Sequence, residues 1–298
     1  MAAPAYKAKG TRIDSSSTAT VAWPTTPAIA VNDIALLVVE SANEAVTLST
    51  PAGFVQVANS PQGTGTAAGT AATRLTVFWC RATGTSMTSP VVADAGNHVE
   101  AQIFTFSGCK TTGDPWNVTA GDALASASTS VSIPGATTTV NECLVVAIAT
   151  TATDASPAAI SGWTNASLAS ITEREDIGGT AGNGGGYGVA TGVKTTAGTY
   201  NATTATFGTS TVQGRMSIAL EPVSSNVIVT PGVAAPVFAG LAAILKFGLN
   251  VGLGATVFSG FAPTVAVSDN KLVQPGVSAP VFAGPSPAGE IRGAADLL

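Results

Sequence analysis

The sequence predicts an all-β protein, built as an internally duplicated antiparallel β-sandwich that is jelly-roll-like. Residues 31–41 and 140–150 each begin with a Val-Asn-acid turn that leads into a short apolar run, as strands buried on both faces do. No stretch before residue 225 shows a helical period with caps at its ends. Only 10% of the 298 residues are charged, and Ala, Thr, Ser and Gly suit packed β-surfaces and turns.

Landmarks that recur in the same order about 110 residues apart predict the duplication. An alternating apolar pair that stops at Pro24 returns before Pro134, and the turn that ends in Phe54 returns as a turn that ends in Trp163. Each half supplies roughly four or five strands and one apolar face. Stacking the halves as two sheets, or interleaving them in one sandwich, would bury both faces.

The domain boundaries follow from changes in composition and repeat pattern along the chain. We expect an N-terminal arm at residues 1–16, the duplicated sandwich at residues 17–224, and a repeat-containing tail at residues 225–298. Within the sandwich, the halves are expected at about residues 17–109 and 110–224.

The tail contains three copies of a short repeat, Gly-x3-Pro/Thr-Val-Phe-small-Gly. A unit this short cannot bury its Val-Phe pair alone and needs stacked neighbours. We therefore expect the tail to oligomerise or to anchor the protein. The expected contact residues are Val237, Phe238, Val257, Phe258, Val281 and Phe282.

Charge and hydropathy disfavour two classes of partner. The net charge of −5 argues against nucleic-acid binding, which needs a basic surface. The most apolar stretch, residues 236–258, is interrupted by Lys246 and Asn250, so we expect no membrane span. The first residues lack the apolar segment of a signal peptide, which predicts synthesis in a cytoplasm and release by another route.

Residues that usually carry catalysis or metal binding are sparse. His98 is the single histidine and begins an alternating strand, so we expect it at the surface or at a strand edge. The three cysteines, Cys80, Cys109 and Cys143, form no CxxC motif and are expected to be free, buried thiols. The sequence therefore predicts no metal, no cofactor and no enzymatic activity.

Two alternatives for chemistry stay open at this point. Paired carboxylates could hydrolyse an envelope polysaccharide, and the candidates are Glu40, Glu100, Glu142, Glu173 and Glu175. The charge cluster at residues 172–176 could hold calcium through its oxygens, but the EF-hand spacing is absent and a solvated loop is favoured. Residues 179–186 are interpreted as a glycine-rich loop without the features of a phosphate site.

A series of motifs runs in order across residues 17–222: the first apolar stretch, "TVFWCRATG", "AQIFTFSG", an Asp-Pro-Trp linker, "ECLVVAIAT" and "RMSIALEP". This series resembles a widespread type of β-sandwich in structural proteins of tailed bacteriophages and prophages. The tail, with "GATVFSGFAPTV", resembles short repeats in phage accessory and fibre proteins. The resemblance implies a virion component and transfers no catalytic residue.

With the low charge and the repeats, this resemblance predicts a non-enzymatic virion protein on the particle exterior, as a capsid decoration, head fibre or tail fibre. The expected partners are a major capsid or tail protein and further copies of the chain, with a trimer as one option. The alternative is a carbohydrate-binding or receptor-binding adhesion module of a phage tail or bacterial surface, with host surface glycan as its partner. Its candidate stacking residues are Trp79, Trp116, Trp163 and Tyr187.

Overall fold

The computed structural model describes residues 2–93, 95–155 and 157–224. In these residues every regular element is a β-strand and every strand pairing is antiparallel, so the predicted all-β class is confirmed. No helix in this part of the chain is long and apolar enough to cross a lipid bilayer. The predicted tail and its six Val and Phe contact residues lie outside the described residues.

The described strands are β1 (Ala5–Lys9), β2 (Ile13–Ser15), β3 (Ala19–Thr20), β4 (Ile34–Ser41), β5 (Leu48–Thr50), β6 (Val55–Gln56), β7 (Gln62–Thr64), β8 (Thr73–Arg81), β9 (Val91–Val92), β10 (Val99–Ser107), β11 (Trp116–Ile133), β12 (Ala136–Thr138), β13 (Cys143–Thr151), β14 (Ile160–Thr164), β15 (Ala169–Gly178), β16 (Gly186–Lys194), β17 (Gly198–Tyr200) and β18 (Thr203–Leu220).

Two large sheets contain most of these strands. The first sheet has the order β1-β10-β4-β8-β6, with β2 also beside β10 and β7 beside β8. The second has the order β11-β18-β13-β16-β15, with β14 beside β18. The predicted apolar stretches form the middle strands β4 and β13, and every residue in both is buried, which confirms that part of the prediction.

The two sheets pack face to face around one apolar core, which gives a sandwich-like fold. Alternate residues of β4, such as Ile34 and Leu36, share this core with alternate residues of β13, such as Leu144 and Val146. By this criterion Ile34 corresponds to Leu144, whereas alignment of the two Val-Asn-acid turns pairs it with Cys143. A one-residue shift moves every side chain of a strand to the other face of the sheet. Alignment by the turns alone therefore predicts the wrong set of core-facing residues.

Three predicted non-strand regions are strands at sheet edges. The expected N-terminal arm contains β1 and β2, which pair with β10. The Asp-Pro-Trp linker leads into the long strand β11, which begins at its tryptophan, and the expected solvated loop at residues 172–176 lies within β15. Edge strands face solvent on one side and accept polar residues, so their apolar pattern is weak.

The core between the sheets changes character along the strands. Phe106 and Leu220 pack with Ile34 toward one end. At the other end, the same face of the first sheet buries Glu40 and Glu100. Buried charges require compensating partners, so this polar end is the part of the described fold to search for function.

Candidate functional site

Three acidic residues lie side by side on neighbouring strands of the first sheet. Glu100 of β10 is directly opposite Asp14 of β2 on one side and Glu40 of β4 on the other. Glu40 and Glu100 have no solvent exposure, and the Asp14 side chain is 21% exposed. Like charges directly opposite each other destabilise a sheet, so this row of acids needs positive charge beside it.

His98, the residue before β10, adds an imidazole to the acid row. Its Nδ1 lies 2.5 Å from the carbonyl oxygen of Ala181, and its Nε2 lies 3.0 Å from Glu40 Oε2, within ion-pair distance. With Nδ1–H donating to the carbonyl, Nε2 faces the carboxylates. The expectation of a surface histidine is wrong, because His98 is completely buried in the folded chain.

The glycine-rich segment at residues 179–186 covers this cluster, as a loop that leads into β16. Two of its backbone N–H groups donate to the Asp14 carboxylate at 3.2 and 3.3 Å, and a third reaches Glu40 Oε2 at 3.4 Å. A Cβ at Gly184 would lie 1.9 Å from the His98 ring, so only glycine allows the backbone to approach this closely. The glycines therefore serve close packing over the acids and the histidine.

Arg12 supplies part of the compensating charge. Its Nε lies 3.8 Å from Glu100 Oε1 and its Nη2 lies 3.7 Å from Asp14 Oδ2, so both contacts are longer than hydrogen bonds. Its Nη1 instead donates to the carbonyl of Gly178 at 2.9 Å. Both carboxylate oxygens of Glu100 remain without a hydrogen-bond partner.

Burial and neighbouring charges shift the protonation of the cluster. Burial raises the pKa of Glu100 to about 8, although the Arg12 guanidinium opposes this rise. Burial lowers the pKa of His98, but the adjacent Glu40 carboxylate outweighs burial and raises this pKa to about 9. Both shifts favour the protonated groups, so at neutral pH the cluster holds its protons.

Among the acids considered for paired-carboxylate chemistry, the structure brings Glu40 and Glu100 together. Glu142 lies in the turn before β13, and Glu175 forms an ion pair with Lys9 at 2.7 Å. Glu173 accepts a hydrogen bond from the indole of Trp163 at 3.0 Å. The proposed candidates thus include one adjacent pair, and the loop covers it.

Sequence reasoning missed Asp14 and Arg12 as members of this cluster. Both lie in the segment expected to be an arm, and only the pairing of β2 with β10 places Asp14 opposite Glu100. The available signal was the locally basic, then acidic, start of the chain, which does not specify a partner strand.

The aromatic candidates for glycan stacking divide into two groups. Trp163 and Tyr187 are buried in the folded chain, which removes them as candidates for stacking on a sugar. Trp79 and Trp116 are partly exposed, with ring centroids 5.5 Å apart, and the Arg81 guanidinium lies 5.6 Å from the Trp79 centroid. A shallow groove of about 470 Å³ runs beside Trp79, lined by Ala52, Gly53, Val55, Trp79, Cys80, Arg81, Thr83 and Met87.

The cysteines behave as the sequence predicts. Cys80, Cys109 and Cys143 are all free and all buried. A buried thiol in apolar surroundings acts as a small hydrophobic group, so these residues contribute to packing.

Comparisons with known proteins add no counterpart for this cluster. The chain matches no protein-family model, no curated protein and no solved structure. The fold and the site therefore define the class by themselves, as a sandwich-like all-β domain with an enclosed acid–histidine cluster at one end of its core.

Proposed function

We propose that this chain is a non-enzymatic structural component of a phage virion, located on the particle exterior as a capsid decoration, head fibre or tail fibre. It is built on an internally duplicated, jelly-roll-like sandwich. It assembles through its C-terminal repeats with other copies of itself and with a major capsid or tail protein.

The observation that carries this proposal is the matched organisation of the two sheets. In each five-strand order, the predicted apolar stretch is the middle strand, and the last long strand of that half lies beside it. The two middle strands share one core, which favours a rigid module for display or attachment. The acid–histidine cluster is enclosed instead of opening onto a cleft, which also favours a structural role.

The test compares the full chain with a truncation after Ser224. We expect the full chain to oligomerise in gel filtration with light scattering, and to co-sediment with particles that lack it. The truncated chain, which retains the described sandwich, should stay folded but lose both properties. Attachment and oligomerisation by the truncated chain equal to those of the full chain would contradict the assignment of the tail.

The groove beside Trp79 favours a second candidate function, a carbohydrate-binding or receptor-binding adhesion module. A partly exposed indole next to an arginine offers an apolar face and a hydrogen-bond donor to a sugar. Glycan-array binding of the full chain tests this candidate, with Trp79→Ala as the groove variant and Trp163→Phe as the buried control. We expect Trp79→Ala alone to abolish the signal, and equal binding by both variants would exclude the groove.

A further inference from the structure

Asp14, His98 and Glu100 bring three potential ligand atoms close together. One carboxylate oxygen from each acid and one ring nitrogen of His98 all lie within 4.8 Å of one another. Ligand atoms on a single tetrahedral Zn²⁺ ion are about 3.4 Å apart, so side-chain adjustments of about an ångström would close the set. We propose that these residues form a binding site for a divalent transition-metal cation such as Zn²⁺, which fastens β2 and the glycine-rich loop to β10.

Glu100 is an independent indication of a missing positive partner. It has no solvent exposure, and neither of its carboxylate oxygens accepts a hydrogen bond. Burying an unpaired carboxylate is very costly, so Glu100 either keeps a proton or binds a cation that displaces it, because the Arg12 Nε at 3.8 Å is too distant to donate to it. A bound cation would satisfy both Glu100 and Asp14 without breaking a hydrogen bond of Arg12, whose Nη1 donates to a backbone carbonyl.

The His98 imidazole is oriented by the same kind of hydrogen bond that orients metal-bound imidazoles. Histidine ligands usually donate their second ring N–H to a backbone carbonyl or carboxylate, which fixes the tautomer and the ring orientation. The Nδ1 of His98 does this with Ala181, whereas Nε2 lies 3.0 Å from Glu40 Oε2, a contact that a bound cation would replace. Glu40 lies next to Nε2 and is itself oriented by a 2.7 Å hydrogen bond from the Thr73 hydroxyl, so it acts as a positioning residue.

The donor set selects the class of cation. One imidazole nitrogen with two carboxylates suits Zn²⁺ and related transition metals, whereas Ca²⁺ takes six to eight oxygen ligands. Mg²⁺ also prefers oxygen ligands and retains several waters, which an enclosed cluster under a loop does not accommodate. We therefore expect Zn²⁺ to bind and Ca²⁺ and Mg²⁺ to leave the protein unchanged.

The experiment titrates the full chain with ZnCl2 by isothermal calorimetry after treatment with a chelator, and repeats it with CaCl2 and MgCl2. Wild type should bind about one Zn²⁺ per chain and show a higher Tm with Zn²⁺. Glu100→Gln and Asp14→Asn should each weaken Zn²⁺ binding by about a hundredfold or more. Glu142→Gln, an acid outside the cluster, is the matched control and should bind like wild type.

Each remaining outcome counts against the site. Absence of Zn²⁺ binding by the wild-type chain would overturn it, and so would equal binding by wild type and Glu100→Gln, which would indicate an adventitious surface ion. Preference for Ca²⁺ would overturn the choice of cation class. If Glu100→Gln fails to fold, Asp14→Asn decides the matter, because the Asp14 side chain is partly exposed and its substitution leaves no buried cavity.

Discussion

The two sheets carry chemically different residues at equivalent positions that face the shared core. Glu40 near the end of β4 corresponds to Thr150 near the end of β13, when the strands are matched by the residues that face the shared core. In the first sheet this place holds an acid opposite Glu100 and beside His98. In the second sheet, the Thr150 hydroxyl donates to the carbonyl of Gly214 at 3.3 Å and accepts from its N–H at 2.9 Å.

This difference shows that the fold itself does not require charge at the polar end of the core. A neutral hydroxyl and a glycine backbone satisfy each other in the second sheet, whereas three carboxylates gather around one histidine in the first. Buried ion pairs are often neutral or worse for stability than apolar replacements. We therefore infer that the acids of the first sheet are present for a function other than stability, and binding of the proposed cation would be that function.

The strongest test of this comparison removes one group from each sheet. In chelator-treated protein, Glu40→Ala leaves the buried His98 without its partner and should lower the free energy of unfolding by about 3–5 kcal/mol. Thr150→Val leaves the N–H of Gly214 unsatisfied and should cost about 1–3 kcal/mol. Urea unfolding measures both, and equal losses below about 1 kcal/mol would remove the distinction between the sheets.

Truncation of the shared core comes next in expected size. Leu36→Ala in the first sheet and Leu144→Ala in the second should each cost about 2–5 kcal/mol, because both side chains are buried between the sheets. Val31, which is 57% exposed, provides the control, and Val31→Ala should change stability by less than about 0.5 kcal/mol.

The same pair of variants tests whether the sheets unfold together. A common core predicts one cooperative transition for wild type and for both Leu→Ala variants. Two separate transitions, or a loss below about 0.5 kcal/mol for Leu144→Ala, would contradict a shared core.

The sequence predicts the centre of this fold better than its margins, for a physical reason. The middle strands β4 and β13 are buried on both faces, so their apolar runs are plain in the sequence. The edge strands β1, β11 and β15 carry small, polar and charged residues, which also occur in loops.

The candidate site could not be derived from the sequence because it depends on strand register. Asp14, Glu100 and Glu40 come from distant parts of the chain and meet only through the pairing of β2 with β10 and of β10 with β4. Alternation predicts that the Glu100 side chain points to the other face of the sheet from Val99 and Ala101. It does not identify the strands that lie beside β10. The glycine-rich loop is visible in the sequence, whereas its contact with His98 appears only in three dimensions.

A smaller effect is expected from the charge pair of the second sheet. Arg215 donates from Nε and Nη2 to the two carboxylate oxygens of Asp122 at 2.8 and 2.6 Å, and Asp122 is 45% exposed. Solvent reaches the Asp122 carboxylate, but the Arg215 side chain is only 10% exposed and its contact is bidentate, so Asp122→Asn should cost about 1 kcal/mol in urea unfolding. A loss as large as that of Glu40→Ala would show that exposure does not separate the two kinds of pair.

The smallest expected effect is the reactivity of the thiols in the folded chain. Burial raises the pKa of Cys109 to about 12 and that of Cys143 to about 11, although Arg81 opposes the rise at Cys109. The thiolate is the reactive form, and a raised pKa means that the folded chain holds the thiol proton at pH values where an unfolded thiol loses it. Iodoacetamide at pH 8 should therefore leave both residues unmodified in native protein, as intact-mass measurement would show, while all three cysteines react in guanidinium chloride. Raising the pH toward 11 should expose Cys143 to labelling before Cys109. Rapid labelling of native protein at pH 8 would instead mean that the core around these thiols opens readily, and the two sheets would then not form one tightly packed unit.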